Sequence, residues 1–219
     1  MTDSPLEKPA ASDPSSSSTH PPQDASRRQP PSASASPSQL ASAKMKLCSS
    51  LRRFDDFPLP GIQFVDIMPL FADPAAHSIL MDALVLQIEE SFGSSKPNII
   101  VGLDARGFLF GPGLALRLGI GFAAVRKKGK LPGPCVTAEY VKEYGNDFFQ
   151  MQRDSIQEGQ KVLIVDDIIA TGGSAKAAAH LVAQLKGHVM GFLFILEIPN
   201  LNGCDELGGA PVKILLNHV

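Results

Sequence analysis

An α/β fold, built on a central and mainly parallel sheet with helices on both faces, is what this sequence predicts. Two patterns carry that prediction. From about Lys46 onward, strand-length apolar runs alternate with segments of helical periodicity. The runs "NIIVGL", "VLIV" and "VMGFLFIL" are apolar without alternation, as strands covered on both faces are. A third observation concerns function: in such sheets ligands sit beyond the carboxyl ends of the strands. The chemically capable residues cluster there, as Asp104 and Arg106, then Arg126 to Lys130, then Asp166 to Ser174.

The elements follow in order. Residues 1–45 are rich in Ser, Pro and Ala, and eight of the chain's 18 prolines precede Gln39, so burial cannot offset the entropy of ordering them. They are expected to form a disordered tail, and 46–219 the folded domain. Ser-rich composition and Arg27-Arg28 suit an organelle transit peptide, but Asp3, Glu7, Asp13 and Asp24 argue against one, so a cytoplasmic protein is expected.

In "ADPAAHSILMDALVLQIEESFG", Asp73 is placed to cap a helix with Pro74 at its first position. Leu80, Ala83, Leu84 and Ile88 form its apolar face, and Gly93 its end. "NIIVGL" is the next strand, "FLFGPGLALRLG" a helix after its glycines, and "IGFAAVR" a strand. "VTAEYVKEYGNDFFQMQ" alternates around Gly145-Asn146-Asp147 and predicts a hairpin or flap. "KVLIVDD" is a strand, "GSAKAAAHLVAQLKG" a helix, and "VMGFLFIL" and "VKILLN" close the sheet.

Bulk properties narrow the function. A net charge of -2 offers no field for nucleic acid or an anionic membrane, so any anion site must be local. Cys48, Cys135 and Cys204 are odd in number and far apart, which fits neither a disulfide framework nor a metal site and points to a reducing compartment. The five histidines show no metal spacing either. No apolar run approaches the roughly 20 residues that span a bilayer.

The segment "VLIVDDIIATGGSA" holds the most chemistry. Thr171, Gly172, Gly173 and Ser174 lie between a strand and a helix, where glycines admit a close ligand. The helix start aims free N–H groups at that point, which suits a phosphate. Ser174 as a simple helix cap is the plainer alternative. Asp166 and Asp167 would repel a phosphate, so they must serve another part of the ligand: a cis-diol, or Mg2+ through water. Together the loop matches a ribose 5-phosphate. A Walker A loop is excluded because Ser174-Ala175 follows Gly173, and "GPGLAL" lacks the third glycine of a dinucleotide fingerprint.

These residues resemble the phosphoribosyl diphosphate (PRPP) signature of type I phosphoribosyltransferases. The resemblance is closer to the family's adenine phosphoribosyltransferase branch, carried by "FPLPGIQFVDIMPLFADP", "GLDARGFLFGPGLAL", "VRKKGKLPGP" and "EYG" in the same order and spacing from about Leu51 onward. It implies that family's fold, with a small hood and a flexible flap added to the sheet. It also implies a purine-salvage reaction, adenine and PRPP giving AMP and diphosphate, with Mg2+ carried by PRPP and a homodimer as the assembly.

Residue roles come with the resemblance. Ala170, Thr171, Gly172, Gly173 and Ser174 would bind the 5-phosphate, and Asp166 and Asp167 the ribose hydroxyls. Asp104, Ala105 and Arg106 would form the diphosphate loop, with a strained or cis peptide at Asp104-Ala105. Arg126, Lys127 and Lys130 would lie on a mobile basic lid. A solvated basic loop is the ordinary alternative. Glu143 would be the acid/base residue near the purine imidazole, and Tyr144 would close over the site. Gln63, Phe64, Val65 and Ile168 would hold adenine, Phe64 by shape and Gln63 and Val65 by main-chain groups. One departure stands out: the family's Phe-Arg-Asp is Phe64-Val65-Asp66 here. Two other readings use the same fold, a non-catalytic PRPP or nucleotide sensor and a transferase for another nucleobase. Neither nucleic acid nor membrane is expected as a partner.

Overall fold

A computed structural model describes residues 37–142, 145–198 and 201–217. The described residues all fall in one compact unit, Ala35–Val219. Its helices are α1 (Pro37–Ser50), α2 (Pro69–Ala72), α3 (Pro74–Phe92), α4 (Gly111–Leu118) and α5 (Gly173–Gln184). The strands are β1 (Arg52–Phe54), β2 (Phe64–Asp66), β3 (Ile99–Leu103), β4 (Gly121–Lys127), β5 (Cys135–Lys142), β6 (Gly145–Gln152), β7 (Lys161–Ile169), β8 (His188–Glu197) and β9 (Val212–Ile214). Short 3₁₀ turns cover Arg106–Phe108 and Gly203–Leu207.

Seven strands form the main sheet in the order β5-β6-β4-β3-β7-β8-β9. The pairs β3-β4, β3-β7, β7-β8 and β8-β9 are parallel, and the β5-β6 hairpin joins β4 antiparallel. The expected mainly parallel sheet is therefore present, with an antiparallel edge.

The unbroken apolar runs follow from the pleat. Along β7, Leu163 and Val165 enter the core shared with α1, α3 and α4, while Val162 and Ile164 enter the core under α5 and the hairpin. Successive residues thus point to opposite, equally buried faces. At α3, Asp73 accepts from Ala75 N–H at 3.0 Å and Ala76 N–H at 3.4 Å, Pro74 follows, and Gly93 ends the helix. Leu80, Ala83, Leu84 and Ile88 are buried, as their spacing predicts.

Two local features differ from the sequence expectations. Residues 37–45, included in the expected tail, are helical; residues 1–36 lie outside the described residues. Leu40 and Leu47 lie two turns apart, so α1 places both on one buried face, and Lys44 Nζ donates to Gln87 Oε1 of α3 at 2.8 Å. The Ser/Ala-rich composition concealed that stripe. In the hairpin, Lys142 pairs with Gly145, so Gly145, Asn146 and Asp147 belong to β6 rather than to the turn. Ala138, Tyr140, Phe149 and Met151 are buried, and this inward alternation sets the register.

A second, two-stranded sheet pairs β1 with β2 and forms the hood. Arg52 Nη2 meets Asp66 Oδ2 at 2.6 Å across it, and Asp66 also accepts from Met68 N–H at 2.8 Å.

Candidate active site

The site lies where β3, β4 and β7 end. Burial of Val162 to Val165 fixes β7, and β8 stays paired with it as far as Ile169-Glu197. Asp166 and Asp167 are therefore inside the strand, near its carboxyl end, rather than just beyond it. That rigid backbone aims the two carboxyl groups with little freedom.

The chain then turns through Ala170 and Thr171 to Gly172, the N-cap of α5, whose φ of 81° favours glycine. No side chain caps this helix, so Ser174 is not its cap. The amides of the first helical turn have no intrahelical acceptor, which is the arrangement an anion can use. The segment expected to bind phosphate is thus a strand-to-helix turn with a glycine at its N-cap.

After β3 comes a cis peptide between Asp104 and Ala105, then the 3₁₀ turn that begins at Arg106. This turn lies directly against β7. A Cβ on Gly107 would sit 2.9 Å from the Val165 carbonyl oxygen, so only glycine allows the approach. As a result Arg106 Nε donates to Asp167 Oδ2 at 2.5 Å. Asp167 is 5% exposed, while the Arg106 side chain remains half open to solvent. Burial works against the Arg106 charge, but the Asp167 bond and the two carboxylates outweigh it and raise the arginine's pKa. The Asp166 shift instead favours its neutral form. Burial first, then the Asp167 charge, push its pKa well above the usual carboxylate range. Its Oδ1 accepts from the Asp167 N–H at 2.9 Å.

From β4, Arg126 Nε donates to Asp104 Oδ2 at 3.2 Å and its Nη1 to the Lys130 carbonyl at 3.1 Å. The basic segment is anchored to the hairpin. Lys128 N–H donates to the Phe148 carbonyl at 2.9 Å, its ammonium lies 5.0 Å from the Phe148 ring centroid, and Gly129 N–H donates to Gln150 Oε1 at 2.8 Å. Lys127, at the end of β4, and Lys130 are exposed.

The hood supplies an apolar surface. Phe64 is 38% exposed and meets Phe57 edge-on at 5.0 Å. Val65 turns the other way and packs with Ile168 against the core cluster of α1, α3 and α4. Strand alternation accounts for this: a side chain at position 65 faces the core while Phe64 faces out. Gln63 Nε2 donates to Asp55 Oδ1 at 3.2 Å. Glu143 and Tyr144 lie outside the described residues.

Sequence reasoning missed two partnerships here. It assigned Arg106 and Asp167 to different ligand groups without pairing them. It also gave no role to the turn Gly203–Leu207, which packs behind Gly172. Neither leaves a local signal, because the partners are distant in the chain.

Comparison with known proteins gives a consistent result. The family model described as phosphoribosyl transferase domain matches residues 73–200. The adenine phosphoribosyltransferase of Yarrowia lipolytica is 54% identical over 178 residues, covering 81% of this chain and 97% of that protein. Adenine phosphoribosyltransferase 1 of Saccharomyces cerevisiae is 50% identical over 178 residues, covering 81% and 95%. A crystal structure of the Saccharomyces cerevisiae enzyme, complexed with D-2,5-dideoxy-2,5-imino-altritol 1,6-bisphosphate and adenine, superposes with a TM-score of 0.78 at 50% identity, over 80% of this chain and 99% of that one.

Proposed function

The chain belongs to the phosphoribosyl transferase family, among its adenine phosphoribosyltransferases, and on that premise we propose how its own residues do the work. The enzyme transfers ribose 5-phosphate from PRPP to adenine, giving AMP and diphosphate. The observation that carries the residue assignment is the juxtaposition on one stretch of β7 and α5: two neighbouring carboxyl groups, the half-buried Asp166 and the buried Asp167, followed at once by an uncapped helix start behind Gly172.

The N–H groups of Thr171 to Ser174 hold the 5-phosphate, with the helix dipole favouring its charge. Asp166 and Asp167 accept hydrogen bonds from the ribose hydroxyls. Asp104, Ala105 and Arg106 take the diphosphate, and Arg126, Lys127 and Lys130 add positive charge on its far side. To reach diphosphate with its full fork, Arg106 exchanges part of its bond to Asp167 for the ligand's oxygens, which frees Asp167 for the diol. Adenine rests on Phe64, with main-chain groups of Gln63 and Val65 at its edge and Ile168 behind. Position 65 faces the core, so its change to valine leaves those main-chain contacts in place.

The bond from the anomeric carbon to diphosphate breaks as an imidazole nitrogen of adenine bonds to that carbon, through an oxocarbenium-like state. Electrons of the broken bond leave with diphosphate, where the basic groups stabilise them. Glu143 takes the proton displaced from adenine, and Tyr144 shields the site. Two neighbouring carboxyl groups suit outer contact to hydrated Mg2+ brought by the diphosphate, and that ion supplies further charge neutralisation when bound. A homodimer and a cytoplasmic location complete the proposal. Among the described residues no helix is long and apolar enough to cross a membrane.

PRPP-dependent AMP formation, assayed with adenine and with guanine, hypoxanthine and uracil as controls, tests this reading. Turnover of adenine alone is expected. PRPP binding without turnover of any base would overturn the reaction, and preference for another base would overturn the base assignment. In the same assay Glu143→Gln should lower turnover far more than PRPP binding, and equal losses would remove its role.

A further inference from the structure

Gly203 opens the 3₁₀ turn Gly203–Leu207, far along the chain from the phosphate loop, yet the two backbones touch. A Cβ on Gly203 would lie 2.2 Å from the Ala170 carbonyl oxygen and 2.7 Å from the Gly172 nitrogen. In return, a Cβ on Gly172 would lie 2.4 Å from the Gly203 carbonyl oxygen. These are contacts of main chain on main chain, so no side chain can rotate aside to relieve an added methyl group.

The turn itself is held from several directions. Leu207 is buried in the same core cluster as Ala175, Ala178 and Leu181 of α5. Lys176 Nζ of α5 meets Glu206 Oε2 at 2.9 Å. Cys204 Sγ donates to Glu197 Oε1 at the end of β8 at 3.3 Å. Burial and the Glu197 bond raise that thiol to about 11, so it keeps its proton at neutral pH. Asn202, before the turn, has a left-handed φ of 50°. The turn is thus a fixed stop, and the loop between β7 and α5 rests on it.

We infer that Gly203 is a positioning residue for PRPP, setting the depth of the phosphate loop by direct backbone contact with Ala170 and Gly172. The inference rests on the assignment of that loop to the 5-phosphate. Its physical content is preorganisation: the loop's amides converge on one point only while its back lies flat on Gly203. A methyl group at 203 must push the loop toward the ligand or tilt it. Displacement on the scale of an ångström is enough to cost on the order of tenfold or more in binding. The diphosphate loop at Asp104 to Arg106 is seated on a different part of β7, through Gly107 at Val165 and Arg106 at Asp167, and should not feel the change.

The experiment is Gly203→Ala in the full chain, with calorimetric binding of ribose 5-phosphate and of inorganic diphosphate, and steady-state kinetics. Affinity for ribose 5-phosphate and KM for PRPP should each worsen by about tenfold or more, while diphosphate affinity and KM for adenine stay within about twofold. Unchanged affinity for ribose 5-phosphate, or equal losses for both ligands, would overturn the inference. Failure of the unmutated protein to bind ribose 5-phosphate would instead overturn the assignment of the loop. If the variant does not fold, amide hydrogen exchange on the unmutated chain decides. Ribose 5-phosphate should slow exchange across residues 201–209 and diphosphate should not; no slowing there with ribose 5-phosphate contradicts the claim.

Discussion

Asp167 on β7 is 5% exposed and Gly172 is wedged against another backbone, whereas across the site Phe64 on β2 is 38% exposed and Phe57 52%. The half proposed to hold phosphate is main chain, fixed by a central strand paired on both sides. The half proposed to hold the base is side-chain surface on and beside a two-stranded sheet. Backbone can present several N–H groups to an anion only if it is rigid before the anion arrives. An apolar slot gains most of its energy from area that the base itself covers, so it needs less prior order. The two halves should therefore break differently, the first sharply and the second by degrees.

Gly172→Val should give the largest effect. It forces a β-branched residue into a left-handed conformation and onto the Gly203 carbonyl, and KM for PRPP should rise by about a hundredfold or more. A variant with an ordinary KM for PRPP would mean that the two halves do not differ in rigidity.

Asp166→Asn comes next and sharpens the comparison, because two measurements should move in opposite directions. In the folded chain the Asp166 pKa stands well above the unfolded value of about 3.9. Between those two values the folded state binds more protons than the unfolded one. The group's favourable contribution is complete below the unfolded value and is lost as pH rises through the folded one. At neutral pH an ionised Asp166 beside Asp167 is therefore a cost to the unliganded fold. The amide should raise stability at pH 7, with the gain shrinking toward pH 4. PRPP affinity should fall, by on the order of tenfold for a lost charged hydrogen bond. Thermal melts from pH 4 to 8 with matched PRPP titrations check both; a fall in stability at neutral pH would contradict the assigned cause.

On the base side, Phe64→Ala removes apolar area that adenine would cover. KM for adenine should rise about tenfold, with KM for PRPP within about twofold. Parallel changes in both would mean that the hood and the phosphate loop are one unit. Arg52→Ala should be the mildest. The Arg52-Asp66 pair joins β1 to β2 but the arginine is largely exposed, so its loss should cost less than about 1 kcal/mol and change KM for adenine less than about threefold.

The same contrast explains what could be read from the sequence. The frame of the proposed phosphate half was legible because its residues are contiguous: "VLIV" announces a buried strand, and Thr171 to Ser174 a turn into a helix. The caps of α3 were legible for the same reason. What stayed hidden depends on partners far along the chain. Pairing with β8 carries β7 past the two acids, Gly107 lets Arg106 reach Asp167, and Gly203 lies behind Gly172. Helix α1 was hidden differently, since two leucines two turns apart do not stand out in a segment of Ser and Ala. The hood was legible by resemblance alone, because a three-residue strand has no periodicity to detect.

A crystal structure of this chain with AMP decides how the two halves of the site divide the nucleotide. The phosphate should lie on the amides of residues 171–174, the ribose hydroxyls on Asp166 and Asp167, and the base against Phe64. A nucleotide bound in the reverse direction, or with its phosphate on Arg126 and Lys130 instead, would contradict that division.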